Sequence, residues 1–256
     1  MKKITSIRIT MQISLWMSLL IVSTMPVYGQ EMKMDMPAGG KGMGDMEEVA
    51  HPFFTHMGMP EAVGVYSIRL GGLVTSADGV RNGDFAFHFE TGLSKFIGFH
   101  IRNDGIRDRQ HSEMMFQFAA VRSENGMSGF SPIIEFEFPT HPGGDQHINT
   151  LVGFSSALTG ANAAFNQIIH YDPRSDGVEG SASLVLKLGS FLFPVVEISG
   201  EAAPMEMPLI NLLGGLKFRI NDNLLIGVAL QAPVTTRGDF SWQLVFQPDI
   251  EWGMTK

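Results

Sequence analysis

Side chains that could bind a metal ion are concentrated near the start of this sequence. Residues 30–62 carry seven methionines, several at Met-x-Met spacing, and two histidines. They are Met32, Met34, Met36, Met43, Met46, Met57, Met59, His51 and His56. Thioethers are soft, neutral ligands that suit Cu(I) and Ag(I), and the imidazoles extend the site to Cu(II). The spacing therefore predicts a soft-metal-binding segment; a solvated, methionine-rich tether is the alternative interpretation.

A second polar group lies on an alternating stretch further along the chain. Its members are His88, Glu90, His100 and Arg102. A three-residue loop at 93–95 would make this stretch a hairpin, with His88 opposite His100 and Phe89 opposite Phe99. Imidazoles and a carboxylate on one face could coordinate Cu(II) or Zn(II). Paired charges that line a lumen are the other interpretation, because one hairpin rarely completes a coordination sphere.

Apolar and polar residues alternate in this way from Val63 to Trp252, with turn residues between the stretches. A period of two is typical of β-strands. The pattern predicts about twelve strands, the fourth over 111–122 and the fifth over 129–139, where Glu135 and Glu137 share the polar face.

Two folds could use such strands. A soluble sandwich would bury the apolar faces, whereas a membrane barrel turns them to lipid and directs the polar faces into its lumen. The nearly unbroken apolar faces favour an all-β, antiparallel, up-and-down transmembrane barrel over residues 63–256. The small number of Tyr and Trp residues, three of each, argues against it, since such barrels carry aromatic girdles.

Composition indicates the compartment and excludes several functions. Basic residues precede an apolar run within residues 1–29, which predicts a cleavable signal peptide, and residues 30–62 are predicted to be a flexible periplasmic segment. The net charge of −8 gives no reason to expect nucleic-acid binding. Without cysteine there is no thiolate site, and no G-x-S-x-G, Walker or H-E-x-x-H motif indicates an enzyme.

Several segments also resemble a known group of proteins. They are FHFETGLSKFIGFHIRND, GMSGFSPIIEFEFPT, LVGFSS, FNQIIHYDP, INLLGGLKFRINDNLLIGVALQAPVT and FQPDIEW. Together they resemble poorly characterised outer-membrane barrels of the transporter-like "MetA-pathway of phenol degradation" type. The methionine-rich leader is similar to that of outer-membrane copper-resistance proteins. This resemblance implies an outer-membrane barrel but transfers no functional residue.

The sequence thus predicts an outer-membrane barrel, surrounded by lipid, that handles or passes a soft metal ion, copper being expected. No cofactor is required, Cu(I) or Ag(I) would bind the methionine-rich segment, and a periplasmic metal-handling protein is a candidate partner. Two alternatives stay open: a pore for small hydrophobic or aromatic solutes, favoured by apolar lumen positions such as Phe191, Phe193 and Val195, and a structural envelope protein.

Overall fold

The computed structural model describes residues 49–104, 111–124, 126–140, 147–235 and 240–253. The predicted signal peptide and the methionines from Met32 to Met46 lie outside these residues. Within the described ranges, no helix is long and apolar enough to cross a membrane.

Twelve long strands and one very short strand form a single antiparallel sheet. They are β1 (Val65–Ala77), β2 (Val80–Ser94), β3 (Ile97–Asp104), β4 (His111–Phe118), β5 (Val121–Arg122), β6 (Gly129–Pro139), β7 (Asn149–Thr159), β8 (Ala163–Asp172), β9 (Gly177–Leu186), β10 (Leu192–Ala202), β11 (Leu209–Asn221), β12 (Leu224–Pro233) and β13 (Trp242–Gly253). The first strand pairs with the last, and β4 pairs with β6. These pairings close a twelve-stranded barrel, as predicted, and β5 is an addition beside β6.

The fourth strand ends earlier than the sequence predicts. Strand β4 stops at Phe118, and the separate β5 pairs only with β6. The reason lies in its other neighbour: β3 begins at Ile97, opposite Phe118. The amide of Ala119 still donates to the carbonyl of Phe96 at 2.8 Å, but residues 95–96 are the turn between β2 and β3. The strand therefore cannot continue to residue 122 between two neighbours.

The hairpin of β2 and β3 differs from its predicted register by two residues. Glu90 lies opposite His100, Phe89 opposite Ile101 and His88 opposite Arg102. The turn is shorter than expected because a bulge between Gly92 and Ser94 absorbs one residue. Side chains alternate with a period of two, so a shift of two residues keeps every side chain on its predicted face.

The two faces of the sheet have opposite character. Large apolar side chains are exposed on the outer face, among them Phe85, Ile101, Ile134, Val152, Leu158, Leu184, Val196, Ile198, Leu212, Leu216, Phe218, Val228, Leu230, Leu244, Phe246 and Ile250. Polar and charged side chains are buried on the inner face, among them Arg69, His88, Glu90, His100, Glu113, Gln117, Glu135, Asn166, His170, Glu197, Lys217, Gln247 and Asp249. A soluble sandwich would show the reverse. The chain is a transmembrane β-barrel.

Aromatic residues with a polar group lie near both ends of the outer face. Tyr66 stacks on Trp252, with ring centroids 5.8 Å apart, near the end that carries both termini. Trp242, at the start of β13, and Tyr171, near the end of β8, lie toward the opposite end. The tyrosines and tryptophans of the described residues therefore lie where a barrel meets the membrane interface.

The connections at the two ends also differ in length. At the end that carries the termini they span residues 95–96, 119–128, 160–162, 187–191 and 222–223; at the other end they span 78–79, 105–110, 140–148, 173–176, 203–208 and 234–241. Except for the long connection that contains β5, the first set is short. Four of the six in the other set have six or more residues.

Candidate functional site

Residues 49–62 lie inside the barrel, and we call them the plug. The plug contacts strands from all around the wall: the Ser67 hydroxyl of β1 lies 3.0 Å from His51 Nδ1, the amide of Gly58 donates to Asn166 Oδ1 of β8 at 3.0 Å, and the Met57 carbonyl accepts from Gln117 Nε2 of β4 at 3.0 Å. The lumen at this level is therefore filled by the protein's own chain.

This finding corrects the prediction of a flexible segment that extends to residue 62. The segment has too few apolar residues to form a core alone, but the barrel wall supplies the missing ones. Val49, Ala50 and Phe53 join a buried cluster with wall residues. Its wall members are Leu73, Ala86, Ala164, Val185, Phe193, Val195, Leu213, Leu225, Ala229 and Val245. Only residues 30–48 stay a predicted flexible segment, and they lie outside the described residues.

The plug returns to the barrel end at which β1 begins. The amide of Val65 donates to the carbonyl of Ala62 at 3.1 Å, and His51 Nε2 lies 3.1 Å from Glu61 Oε1, which links the two arms of the plug. His51 Nδ1 lies 3.7 Å from Asp249 Oδ2. Burial opposes protonation of His51, but the Asp249 and Glu61 carboxylates outweigh it and raise its pKa well above the usual value.

One wall carboxylate holds the backbone of the plug. Glu197 accepts hydrogen bonds from three successive backbone N–H groups, those of Phe53, Phe54 and Thr55, and from the Thr55 hydroxyl at 3.0 Å. Gln247 Nε2 donates to the Phe53 carbonyl at 2.9 Å. Buried backbone groups need partners, and at residues 53–55 the wall supplies them.

The ring of Phe53 fits a recess in the wall that two glycines create. A Cβ atom at Gly215 would lie 2.7 Å from the ring, and one at Gly227 would lie 2.6 Å from it. Lys217 of β11, which lies opposite Gly227 of β12, places Nζ 4.8 Å from the ring centroid. Any larger side chain at either glycine would occupy the space of the ring. A Cβ atom at Gly215 would also lie 2.6 Å from Ala229 Cβ of the wall, whereas the nearest atoms at Gly227 are those of the Phe53 ring.

His56 of the plug lies among the polar residues that the sequence predicted to share one face of the β2–β3 hairpin. His56 Nδ1 is 3.6 Å from Glu90 Oε1, and His100 Nδ1 is 3.3 Å from the same oxygen. All three residues are at most 1% exposed. One ligand atom from each lies within 4.8 Å of the others. His88 stacks on His56, with centroids 5.3 Å apart and planes 9° from parallel.

Arginines neutralise two of the nearby carboxylates. Arg69 donates to Glu90 Oε1, and Arg102 Nε lies 3.5 Å from Glu113 Oε2. Arg102 Nη1 also lies 3.1 Å from His56 Nε2. Burial, together with the charge of Arg102, lowers the pKa of His56 to about 3. His56 is therefore a neutral imidazole at physiological pH, the form that metals bind.

The remaining predicted residues take separate positions. Glu135 Oε2 lies 3.2 Å from His170 Nε2, and Glu137 accepts a hydrogen bond from Asn149 at 2.8 Å. Met59 places its sulfur 3.6 Å from the Ser131 hydroxyl. The alternation of residue types predicted which side chains face inward. The contact of Phe53 with Gly215 and Gly227 was not predicted, since only the fold brings these residues together. The sequence did contain one indication of this contact, namely glycines at inward-facing positions of strands whose other residues have large side chains.

Comparison with known proteins supports the fold. No family model matches this chain, and no curated protein does. The structure of the NanC porin has a TM-score of 0.51 at 7% identity, covering 74% of this chain and all of the porin. An outer membrane channel from Pseudomonas putida F1 has a TM-score of 0.50 at 7% identity, covering 76% of this chain and 97% of the channel.

The chain has the fold of an outer-membrane channel barrel. This agrees with the predicted resemblance to transporter-like barrels at the level of fold. The MetA-pathway type, the likeness of the leader to copper-resistance proteins and the identity of any cargo stay predictions, because 7% identity carries the fold alone.

Proposed function

We propose that this protein is an outer-membrane channel that its own plug closes, and that its cargo is a soft metal ion, copper in the first instance. One observation carries the proposal: residues 51–59, which bear two histidines and two methionines, lie inside the lumen rather than in a free tail. An ion that traverses the barrel would pass along these side chains. Imidazole and thioether are the ligands that Cu(II) and Cu(I) prefer.

The proposal also assigns an orientation. Outer-membrane barrels have short periplasmic turns and longer extracellular loops. The end with mostly short connections also carries Val65 and Gly253, the outer ends of β1 and β13. We therefore assign this end to the periplasm, with the signal peptide directing export. The methionines of residues 32–46 would collect Cu(I) or Ag(I) there, in exchange with a periplasmic metal-handling protein.

A second candidate is a pore for small hydrophobic or aromatic solutes. The observation in its favour is the apolar wall around Phe53, which includes the predicted lumen positions Phe193 and Val195. If the plug left, this wall would face the lumen and could accept an aromatic solute in place of Phe53. This candidate predicts solute flux that is independent of metal ligands.

Ag(I), a stable analogue of Cu(I), separates the two candidates. The mature protein is reconstituted into liposomes and Ag(I) entry is followed with an enclosed indicator. A matched variant carries leucine at Met32, Met34, Met36, Met43 and Met46, which removes the thioethers and keeps apolar side chains of similar volume. We expect Ag(I) binding and flux to fall in this variant while entry of an aromatic solute is unchanged. Equal Ag(I) flux in both proteins would reject the copper proposal.

A further inference from the structure

Inside the lumen, His100 Nδ1 faces Glu90 Oε1 at a distance of 3.3 Å. Gln117 Nε2 donates to the Met57 carbonyl at 3.0 Å and to the Ser155 hydroxyl at 2.7 Å, which fixes the orientation of its amide. Gln117 Oε1 therefore faces His100 Nε2, 3.2 Å away. Since a carbonyl oxygen only accepts, His100 carries its proton on Nε2. The lone pair of Nδ1 then points toward Glu90.

Glu90 cannot satisfy that lone pair, because an ionised carboxylate also only accepts. Its Oε1 lies 3.3 Å from His100 Nδ1 and 3.6 Å from His56 Nδ1. Among the described residues, Glu90 Oε2 and the Nδ1 atoms of both histidines have no hydrogen-bond partner, although all are buried. In the neutral tautomer of His100 these two acceptors face each other, and they are stabilised only by a cation between them, which is either a proton on Nδ1 or a metal ion.

We infer that His56, Glu90 and His100 form a binding site for a divalent ion of the Zn(II) or Cu(II) class. In tetrahedral sites the ligand bonds are about 2.0–2.1 Å, which separates ligand atoms by about 3.4 Å. The two measured separations, 3.3 and 3.6 Å, lie close to this value. Two neutral nitrogens and one carboxylate oxygen are a common ligand set for this ion class. The unused fourth position would hold water.

The surrounding charges can accommodate such an ion. The two arginines nearest the site each pair with a carboxylate, Arg69 with Glu90 and Arg102 with Glu113. Glu135, which also pairs with His170, lies nearby, and one ligand atom each of His56, Glu113 and Glu135 lie within 4.8 Å of one another. When His56 binds through Nδ1, its proton resides on Nε2, so Arg102 leaves this nitrogen and keeps Glu113.

The site joins two separate parts of the chain. Glu90 and His100 belong to the wall hairpin, which alone supplies an incomplete set of ligands, and His56 belongs to the plug. Ion binding would therefore fasten the plug to β2 and β3. This inference deepens the proposed metal function, but it concerns a divalent ion in the lumen and not Cu(I) on the methionines of residues 32–46.

Titration of the purified full-length mature barrel with Zn(II), in competition with a chromophoric chelator, tests the site. We expect one tight site per chain. Loss of a residue that only orients a ligand costs 10–100-fold in affinity, so His100→Gln and His56→Gln should each weaken binding by more than about 100-fold. The matched control is His147→Gln, because His147 is exposed near a loop and its loss should leave the affinity unchanged.

A second measurement keeps the test independent of folding defects. The chain has no cysteine, so Ser131→Cys introduces a unique thiol beneath the plug. Zn(II) should slow its labelling at least tenfold in the parent, and EDTA should reverse the effect, whereas His100→Gln should show no response. Zn(II) binding that is equal in parent and His100→Gln, or no binding, would mean that only a proton bridges His100 and Glu90 and would overturn the inference. Either result leaves the Ag(I) experiment unaffected.

Discussion

Removal of the Phe53 ring should release the plug. The ring is fully buried between Gly215 and Gly227, and replacement of a buried Phe by Ala typically costs about 3–5 kcal/mol. The strand pairings that close the wall do not include the plug, so this cost falls on the docked state. Each 1.4 kcal/mol is a factor of ten. Phe53→Ala should therefore raise the undocked population by about 10²-fold to 4×10³-fold.

Labelling of a thiol at Ser131→Cys measures that population. Ser131 is fully buried beside Met59, so a maleimide reaches the thiol only after the plug leaves. When the labelling rate is proportional to reagent concentration, it reports the undocked fraction. Phe53→Ala should accelerate labelling by about 10²-fold to 4×10³-fold. Single-channel conductance in planar bilayers should rise in parallel.

The control is Phe85→Ala, which removes the same side chain from the outer face, where Phe85 is 41% exposed. Both variants should keep the β-sheet circular dichroism of the parent. Labelling of Phe53→Ala at the parental rate, or equal acceleration by Phe85→Ala, would refute the view that Phe53 anchors the plug.

Three further predictions concern the same docked state. Gly227→Val fills the recess of the ring and should open the channel in conductance recordings, whereas Gly214→Val, at an exposed position with no atom near its Cβ, should not. Glu197→Gln removes the charge that three N–H groups contact and should weaken docking by about 1–3 kcal/mol, measured by thiol labelling. Because docking lowers the pKa of His56 from 6.5 to about 3, the released plug binds a proton at His56 more readily. The His56 contribution to docking should therefore weaken by about 2.5 kcal/mol between neutral pH and pH 4.5, while the raised pKa of His51 acts in the opposite direction. His56→Gln should remove this part of the acid dependence of labelling; an unchanged acid profile would contradict it.

The fold could be predicted from the sequence because the alternation within each strand shows which side chains face the lipid and which face the lumen. Alternation along 129–139, for example, separates Phe136 from Glu135 and Glu137 whatever the neighbouring strands do. Faces were therefore predictable, but the exact register of β2 and β3 was not, because the turn at residues 95–96 and the one-residue bulge after Gly92 together shift the pairing by two residues without changing any face.

The plug could not be predicted from local pattern. Residues 49–62 have no periodicity, and their partners lie far away in the chain: Glu197 is 144 positions from Phe53, and Gln247 is 194 positions from it. Composition alone indicated a disordered segment. The segment is ordered because the barrel interior offers both an apolar recess and polar groups that match its backbone, and neither exists before the strands are assembled.

These long sequence separations also determine when the plug can fold. Contacts between distant residues form late, since the intervening chain must first be arranged. Residues 49–62 leave the ribosome before every strand, yet Glu197, Lys217 and Gln247 belong to β10, β11 and β13, which are synthesised last. The segment of the barrel domain that is synthesised first is therefore the last to dock. Its docking marks a barrel that has been completed, and a chain truncated before β13 would leave its own beginning unfolded.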